Sequence, residues 1–347
     1  MRTSQIICNI TKMPNQKQDE RSIIHQQNNS KDSAQTDFEY SLQGLVRTEV
    51  DRYRRKGVAW AAFSVVQSIA YFNFIAYMGQ WIWPKIYSYI HVHQIAEWKF
   101  QILFSWFISI STLTMSNLFF YILYKSSHPI FEQYKILKNQ QWPWQEDPVA
   151  WRELLYRSFK SISINNFVIV PSFLLLGAYL NNFQAEFSYS PEELPSVWTF
   201  VWQSYYWIVF EDVIFCISHR TLHRPWFYKP GEHAHPVEFI MGNILPLFIP
   251  GLILGKRVHF FTFMVIACHR IIAATTEHSG YDLPIKLYEI LPFRSDSRYH
   301  DYHHAGNING NYGASVVLSD FIMGYNHQYF RHLDTVVYKD KGTKKLD

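Results

Sequence analysis

Four long apolar stretches constrain the fold of this chain more than any other feature of its sequence. They cover roughly residues 59–80, 101–124, 162–182 and 197–217. Each is close to the ~20 residues that cross a bilayer as an α-helix. Near their ends lie tryptophans, which concentrate at membrane interfaces: Trp60, Trp81, Trp83 and Trp198. The sequence therefore predicts an all-α integral membrane protein with about four transmembrane helices.

A further apolar region, residues 239–275, is interrupted by helix-breaking and charged residues. The interruptions are Pro246, Pro250, Gly251, Gly255, Lys256 and Arg257. Breaks at membrane depth are tolerated only where protein covers the backbone or a cavity forms. We therefore interpret 239–275 as a re-entrant or interfacial helical pair.

The distribution of basic residues predicts the orientation in the membrane. A basic cluster precedes the first span, and the connection 125–160 is also basic, whereas 183–196 contains no lysine or arginine. Basic loops stay in the cytosol. We therefore expect a multi-pass protein with both termini, the loop 125–160 and everything after residue 217 on the cytosolic side.

This interpretation divides the chain into four parts. Residues 1–45 are rich in Gln, Asn, Ser and Lys, which predicts a disordered polar tail. Residues 46–218 contain the transmembrane helices. Residues 219–332 form a cytosolic, histidine-rich helical cap that includes the apolar pair, and residues 333–347 form a cytosolic tail.

The remaining composition excludes some classes of function. The net charge of +4 gives no reason to expect a nucleic-acid partner. The three cysteines, Cys8, Cys216 and Cys268, form no CxxC pair, which fits a reducing compartment. The chain ends in KKLD, which resembles the cytosolic dilysine signal of endoplasmic reticulum membrane proteins.

Two histidine clusters carry the strongest chemical signal. His219 and His223 form HxxxH at the end of the fourth stretch, and HDYHH places His300, His303 and His304 within five residues. At helical spacing, each cluster shares one face and can chelate an ion. The alternatives are interfacial histidines at a helix end and a surface helix rich in histidine. Between the clusters lie single candidates: His233, His235 and His278.

Many imidazoles without a thiolate argue against structural zinc and iron–sulfur sites. Such a site in a helical membrane protein favours non-haem iron, although imidazole also binds zinc, copper and nickel. Glu211 and Asp212 stand inside an apolar run, where a carboxylate needs a partner or a role at the metal site.

Several motifs together resemble the fatty acid hydroxylase/sterol desaturase superfamily, and most closely its C-4 methylsterol monooxygenases. They are EDVIFCISHRTLH, AHPVEF, EHSGYDLP and SRYHDYHHAGNINGNYGAS, in the order of that family. The resemblance implies a membrane-bound di-iron oxygenase of the endoplasmic reticulum that oxidises a sterol methyl group stepwise. Electrons would come from NAD(P)H through cytochrome b5 or its reductase. Membrane lipid and other sterol-demethylation enzymes would be further partners.

Carried over by position, the resemblance implies seven metal ligands: His219, His223, His235, His278, His300, His303 and His304. One departure is clear, because the HxxHH box that the family places between HRxLH and AHPxE is missing here. FYK at 227–229 runs directly into PGEHAHPVEF. His233 is an additional candidate ligand, and Tyr299 stands where the family often has histidine.

Two explanations of the missing box remain open: the chain lacks a segment, for instance through a mis-spliced gene model, or it has diverged and binds one metal or none. The second explanation implies an inactive homologue that binds sterol or organises partner enzymes. Oxidation elsewhere on the sterol, at the side chain or as a desaturation, is a further alternative. A hydrolytic zinc enzyme fits less well, since zinc sites use fewer histidines.

Overall fold

The computed structural model describes residues 33–138, 140–223, 236–284, 291–306 and 310–333. Within these ranges the regular secondary structure is helical, and the only extended pairing consists of isolated bridges. The all-α architecture predicted from the sequence is therefore confirmed.

The described residues form thirteen α-helices. Their bounds are α1 Ser33–Val92, α2 Glu97–Ser126, α3 Pro129–Glu132, α4 Pro143–Glu146, α5 Pro148–Ile164, α6 Val170–Leu180, α7 Val197–Leu222, α8 Pro236–Phe239, α9 Leu245–Leu254, α10 Phe260–Glu277, α11 Ser297–Gly306, α12 Leu318–Met323 and α13 His327–His332. A π-helical turn, Asn165–Ile169, joins α5 to α6, and a second, Ile240–Ile244, joins α8 to α9.

Five segments of the described chain are long and apolar enough to cross a membrane. They are Gly57–Val92, Glu97–Ser126, Pro148–Leu180, Val237–Arg257 and Phe260–Glu277. The set differs from the four predicted stretches at two points. Helix α7 does not qualify, because Gln203, Glu211 and Asp212 make it too polar, whereas the interrupted region 239–275 supplies two candidates.

Region 239–275 forms two helices despite its prolines and glycines. Pro246 directly follows the π-helical turn Ile240–Ile244 and Pro250 lies inside α9, so the helical backbone continues through both prolines. Gly255 ends α9 with a φ of 54°, and a 3₁₀ turn over Gly255–Arg257 leads into α10. The result is two helices with a sharp connection.

Aromatic packing at one end of the bundle fixes the helices around α10. Phe260 and Phe263 are fully buried against Phe187, Trp83 and Trp207. Trp83 donates its indole N–H to the carbonyl of Tyr189 at 2.7 Å, which ties α1 to the connection before α7. Helix α10 packs mainly on α2, and α9 packs mainly on α7.

Helix α1 has two parts that meet at Gly57. Gly57 has φ 77° and ψ 165°, a conformation that is essentially restricted to glycine. The part before Gly57 packs against the C-terminal helices, where Leu45 is buried with Tyr299, Val317 and Phe330. The structure thus makes residues 33–45 helical, within the segment predicted as a polar tail, and leaves 1–32 outside the described residues.

Candidate metal centre

Six histidines gather into two groups whose ring nitrogens could each hold a metal ion. The first group is His219, His223 and His303, and the second is His278, His300 and His304. Within each group, one nitrogen from every ring lies within 4.8 Å of the others. The groups adjoin, since the ring centroids of His219 and His300 are 6.1 Å apart.

The helices explain this division. His219 and His223 are four residues apart on α7, at its C-terminal end. Helix α11 contributes to both groups, because its i and i+4 positions, His300 and His304, share one face and His303 turns toward α7. His278 follows the last residue of α10.

The spacing of the Nε2 atoms fits ligands of a common ion. The Nε2 atoms of His219 and His223 are 3.0 Å apart, and those of His300 and His304 are also 3.0 Å apart. His303 and His223 have Nε2 atoms 3.4 Å apart. Two nitrogens each about 2.1 Å from one metal, at tetrahedral or right angles, lie about 3.0–3.4 Å apart.

Backbone carbonyls orient two of these rings. The Nδ1 of His303 lies 2.7 Å from the carbonyl oxygen of Gly310, and the Nδ1 of His219 lies 3.2 Å from that of Tyr312. A carbonyl only accepts, so each Nδ1 carries the proton and donates it. The lone pair of each ring is then on Nε2, which faces the other histidines, as in metal-binding imidazoles.

Two buried carboxylates hold the loop that supplies these carbonyls. Asp320 accepts hydrogen bonds from the backbone N–H groups of Tyr312 and Gly313, both at 2.9 Å. Asp212 accepts from the next three N–H groups, those of Ala314, Ser315 and Val316. Sequence reasoning missed Asp320. The signal available was an acidic residue shortly after the Gly/Asn-rich loop.

Glycine is the residue that fits at position 313. A Cβ there would lie 2.8 Å from Oδ2 of Asp212 and 3.0 Å from Oδ2 of Asp320. The two carboxylates therefore close on the loop from both sides, and the small residue lets them reach the backbone.

The carboxylates singled out in the sequence have structural partners. Glu211 forms a buried ion pair with Arg270 of α10, and Asp212 binds the loop described above. Tyr299, which stands where the family often has histidine, donates its hydroxyl to Asp320 at 2.9 Å. None of these three side chains belongs to the two histidine groups.

Burial keeps the histidines on α11 and beside α10 neutral. Burial lowers the pKa of His278, His300 and His304 well below the ordinary imidazole value, and the neighbouring imidazoles lower it further. A neutral imidazole is the form that binds metal, so the second group is ready for a cation at neutral pH.

A cavity of about 220 Å³ leads from the histidines into the helical bundle. His219, His278, His300 and His304 line one part of it, and α2, α5, α6, α9 and α10 line the rest. Much of the lining is apolar, for example Phe173, Leu174, Phe215, Leu247, Phe248 and Phe263. An elongated apolar molecule in this cavity would present one end to the metal-binding nitrogens.

The structure brings together six of the seven histidines that the resemblance nominated. His235, and the additional candidate His233, lie outside the described residues. The predicted cytosolic loop 125–160 packs beside the second group. The backbone N–H of Ile136 donates to Gly280, and the hydroxyl of Tyr124, just before this loop, donates to Ser279.

Comparisons with known proteins agree with this arrangement. The chain is 28% identical to Methylsterol monooxygenase 1 of Gallus gallus over 62% of its length and 72% of the relative's. It is 27% identical to Methylsterol monooxygenase 2-2 of Arabidopsis thaliana over 75% of its length and 96% of the relative's. It is 29% identical to Very-long-chain aldehyde decarbonylase GL1-11 of Oryza sativa subsp. indica, over 61% of its length and 80% of the relative's.

No solved structure matches the chain. A family model does, and the description of that family is Fatty acid hydroxylase. The match covers residues 204–325, the part that contains both histidine groups and the loop that supports them. Residues 204–325 are therefore similar to the fatty acid hydroxylase family, and they include all six histidines of the two groups.

Proposed function

We propose that this protein is a membrane-bound non-haem di-iron oxygenase that oxidises a sterol, in the manner of a C-4 methyl oxidase. The observation that carries the proposal is the pair of adjoining three-histidine groups at the end of an apolar cavity. The family match and the methylsterol monooxygenase relatives support an oxidoreductase acting on such a substrate.

The residues present fit two metal ions. His219, His223 and His303 would hold one, and His278, His300 and His304 would hold the other. Three protein ligands per ion leave coordination positions free, as catalytic sites require. All six donors are uncharged, so the ions keep their positive charge, which suits an oxidising centre. When bound, iron would supply the activation of O2 and the oxidation of a C–H bond.

Because the described residues already provide three donors for each ion, two ions do not depend on the missing HxxHH box. This favours an enzyme over the inactive homologue. His235 would be a further metal ligand. His233 would be a possible additional one.

The protein itself would position the substrate. The rigid apolar ring system would pack against the phenylalanines and leucines of the cavity, which also excludes water from the reacting carbon. The depth of the cavity would decide which carbon reaches the histidines, and therefore whether a C-4 methyl group, the side chain or a ring bond is oxidised.

The relatives favour a second candidate substrate. Very-long-chain aldehyde decarbonylases are as similar in sequence as the sterol enzymes, so a long-chain aldehyde is the alternative occupant of the cavity. Both molecules are elongated and apolar, so the apolar lining of the cavity would suit either of them.

We further propose that the protein resides in the endoplasmic reticulum membrane with both termini in the cytosol, which requires that an even number of segments cross, for instance four of the five candidates. The histidine groups would face the cytosol, where cytochrome b5 and an NAD(P)H-dependent reductase deliver electrons and other sterol-demethylation enzymes are available. The part of the basic loop 125–160 that precedes α5 packs beside His278 through the hydrogen bond from Ile136 to Gly280, which supports this orientation. The four-part division of the chain, at residues 45, 218 and 332, belongs to the same proposal.

Metal content and product analysis test this function. Purified protein reconstituted with ferrous iron should hold close to two irons per chain and, with O2 and a reducing system, convert a C-4 methylsterol to the alcohol. Conversion of a very-long-chain aldehyde instead would select the second candidate. Protein that binds no iron and converts neither substrate would favour the inactive homologue.

A further inference from the structure

A continuous row of aromatic rings leads from the metal-binding region to the surface of the protein. The aromatic row consists of Tyr281, Tyr124, Trp142, Trp144 and Trp151. These residues come from four separate segments, namely the chain after α10, the end of α2, the region around α4, and α5.

The inner end of the aromatic row is connected to a metal-binding histidine. Tyr124 donates its hydroxyl at 2.7 Å to the carbonyl oxygen of Ser279, the residue that follows His278. The backbone from His278 to the carbonyl of Ser279 and one hydrogen bond thus join this histidine to the phenol of Tyr124. The ring of Tyr281, three residues after His278, stacks on Tyr124 with centroids 5.7 Å apart and planes 18° apart.

The outer part of the aromatic row is closely spaced. Trp142 and Trp144 each lie 5.0 Å from Tyr124, and they stack on one another at 5.0 Å with planes only 8° apart. Trp144 reaches Trp151 at 5.4 Å. Tyr281 and Trp142 are buried, whereas Tyr124, Trp144 and Trp151 are partly exposed.

Tyr281 also has a proton acceptor. Its hydroxyl is buried and donates to a carboxylate oxygen of Glu132 at 2.5 Å. A phenol loses an electron far more readily when its proton passes to a base in the same step. The carboxylate satisfies the buried hydroxyl and also provides a base to which the phenol proton can pass.

We propose that the aromatic row carries oxidising equivalents away from the metal centre to the protein surface. The proposal rests on the proposed function, which supplies an oxidising centre. When that centre is oxidised and no substrate fills the cavity, Tyr281 would give it one electron and pass the phenol proton to Glu132. An electron from Trp142, by way of Tyr124, would refill Tyr281, which recovers its proton.

Trp142 is then missing an electron, which it takes from Trp144, and Trp144 takes one from Trp151. At Trp151 a thiol in solution supplies the electron. Two thiols oxidised in this way join as a disulfide and release their two protons. Two such transfers return a two-electron oxidant to its resting level. The direction follows from chemistry: tyrosine and tryptophan are oxidised by strong oxidants and are not reduced by biological donors. The row would therefore protect the histidines rather than deliver electrons for turnover.

The test uses metal-free, full-length protein, so it does not depend on the proposed enzyme activity. A ruthenium photo-oxidant is attached at Arg152→Cys, next to Trp151, with Cys8→Ser and Cys268→Ser to prevent labelling elsewhere. After a flash, electron paramagnetic resonance should show a tyrosyl radical in the interior. Absence of a tyrosyl radical in this protein would overturn the proposal.

Variants of Trp144 separate conduction from packing. Trp144→Phe should abolish the tyrosyl signal, whereas Trp144→Tyr, which also loses the indole but keeps an oxidisable ring, should restore it. Trp98→Phe, on the opposite end of α2, serves as the matched control and should leave the signal unchanged. Equal signals in Trp144→Phe and Trp144→Tyr would show that the indole only packs and would overturn the proposal.

Glu132 gives a second readout. Glu132→Gln keeps a hydrogen-bond acceptor for Tyr281 but removes the base, so the tyrosyl signal should fall while tryptophan radicals persist. Glu146→Gln, on the exposed surface near Trp144, is the control. An unchanged tyrosyl signal in Glu132→Gln would contradict the proton transfer on which the proposal depends.

Discussion

At the residue scale, His303 links the C-terminal helix α11 to the pair on α7. Its Nδ1 is satisfied by the carbonyl of Gly310, and its Nε2 faces that of His223 at 3.4 Å. We expect His303→Ala to abolish product formation and to lower the metal content per chain, because one group loses a third of its donors. Membrane insertion should be unaffected, since α11 lies outside the candidate spans.

The matched control for this substitution is His128→Ala, which removes an exposed histidine that caps the short helix α3. It should leave turnover and metal content unchanged. Wild-type product formation by His303→Ala would remove this residue from the site.

Gly313 offers a test of the loop at a single position. In Gly313→Ala, the new methyl group would meet the two carboxylates at 2.8 and 3.0 Å, so the loop or the aspartates must shift. Overpacking of this kind costs roughly 1–3 kcal/mol of folding free energy. Thermal unfolding should show a lower Tm than for Gly242→Ala, where the nearest atom to the new carbon lies at 3.8 Å. Equal melting temperatures would show that the loop has room for the methyl group.

At the element scale, the loop between α11 and α12 acts as a support for the histidines. Asp212 of α7 and Asp320 of α12 anchor it. The loop after α11 is thereby tied to α7, and these two helices carry the first group. Asp320→Asn keeps one acceptor oxygen for the backbone N–H groups of Tyr312 and Gly313. Its new NH2 group would face the other N–H, so one of the two hydrogen bonds to the loop is lost. We expect metal affinity to fall by roughly 10–100-fold, as is usual when groups that orient ligands are changed.

Metal titration of the Asp320→Asn variant measures this effect. Asp147→Asn is the control, because it removes a carboxylate from an exposed helix N-cap, where asparagine serves equally well. Equal metal affinities in the two variants would show that the anchored loop does not orient the histidines.

The spacing of the histidine boxes was enough to nominate the clustered residues, because the i, i+3, i+4 rule is local. The way His300, His303 and His304 divide between two groups was not predictable, since it depends on where α7 and the end of α10 meet α11. The Asp320 anchor was missed for a related reason. An aspartate near a Gly/Asn-rich loop is common in turns, and only the fold shows that it binds Tyr312 and Gly313.

Among the helices, apolar length predicted α1, α2 and the span ending in α6, whereas the interrupted region 239–275 was harder to interpret. Its prolines predict breaks, yet the helical backbone continues through Pro246, just after a π-helical turn, and through Pro250. Helix α7 differs in the other direction: it was predicted as a span but is not among the five candidates. Its polar residues Glu211 and Asp212 have protein partners.

At the scale of the whole molecule, bound metal should stabilise the folded chain. The two histidine groups draw ligands from α7, α10 and α11, and an unfolded chain does not hold them together. A ligand present at about 100 times its Kd adds about 2.7 kcal/mol to the free energy of unfolding. Chelation should therefore lower the Tm of detergent-solubilised protein, and added ferrous iron should restore it. A Tm that is insensitive to chelator would contradict a shared metal centre.

The break in α1 at Gly57 has a mechanical consequence for a protein of this design. Before it, Leu45 packs against the C-terminal helices and Glu49 accepts a hydrogen bond from the backbone of Phe293, just before α11. After it, the same helix continues as a candidate membrane span. Bilayers of different thickness force membrane helices to lean by different amounts. We therefore expect the break at Gly57 to let the first span tilt while the contacts before it hold their angle, so that the histidine geometry changes little between bilayers of different thickness.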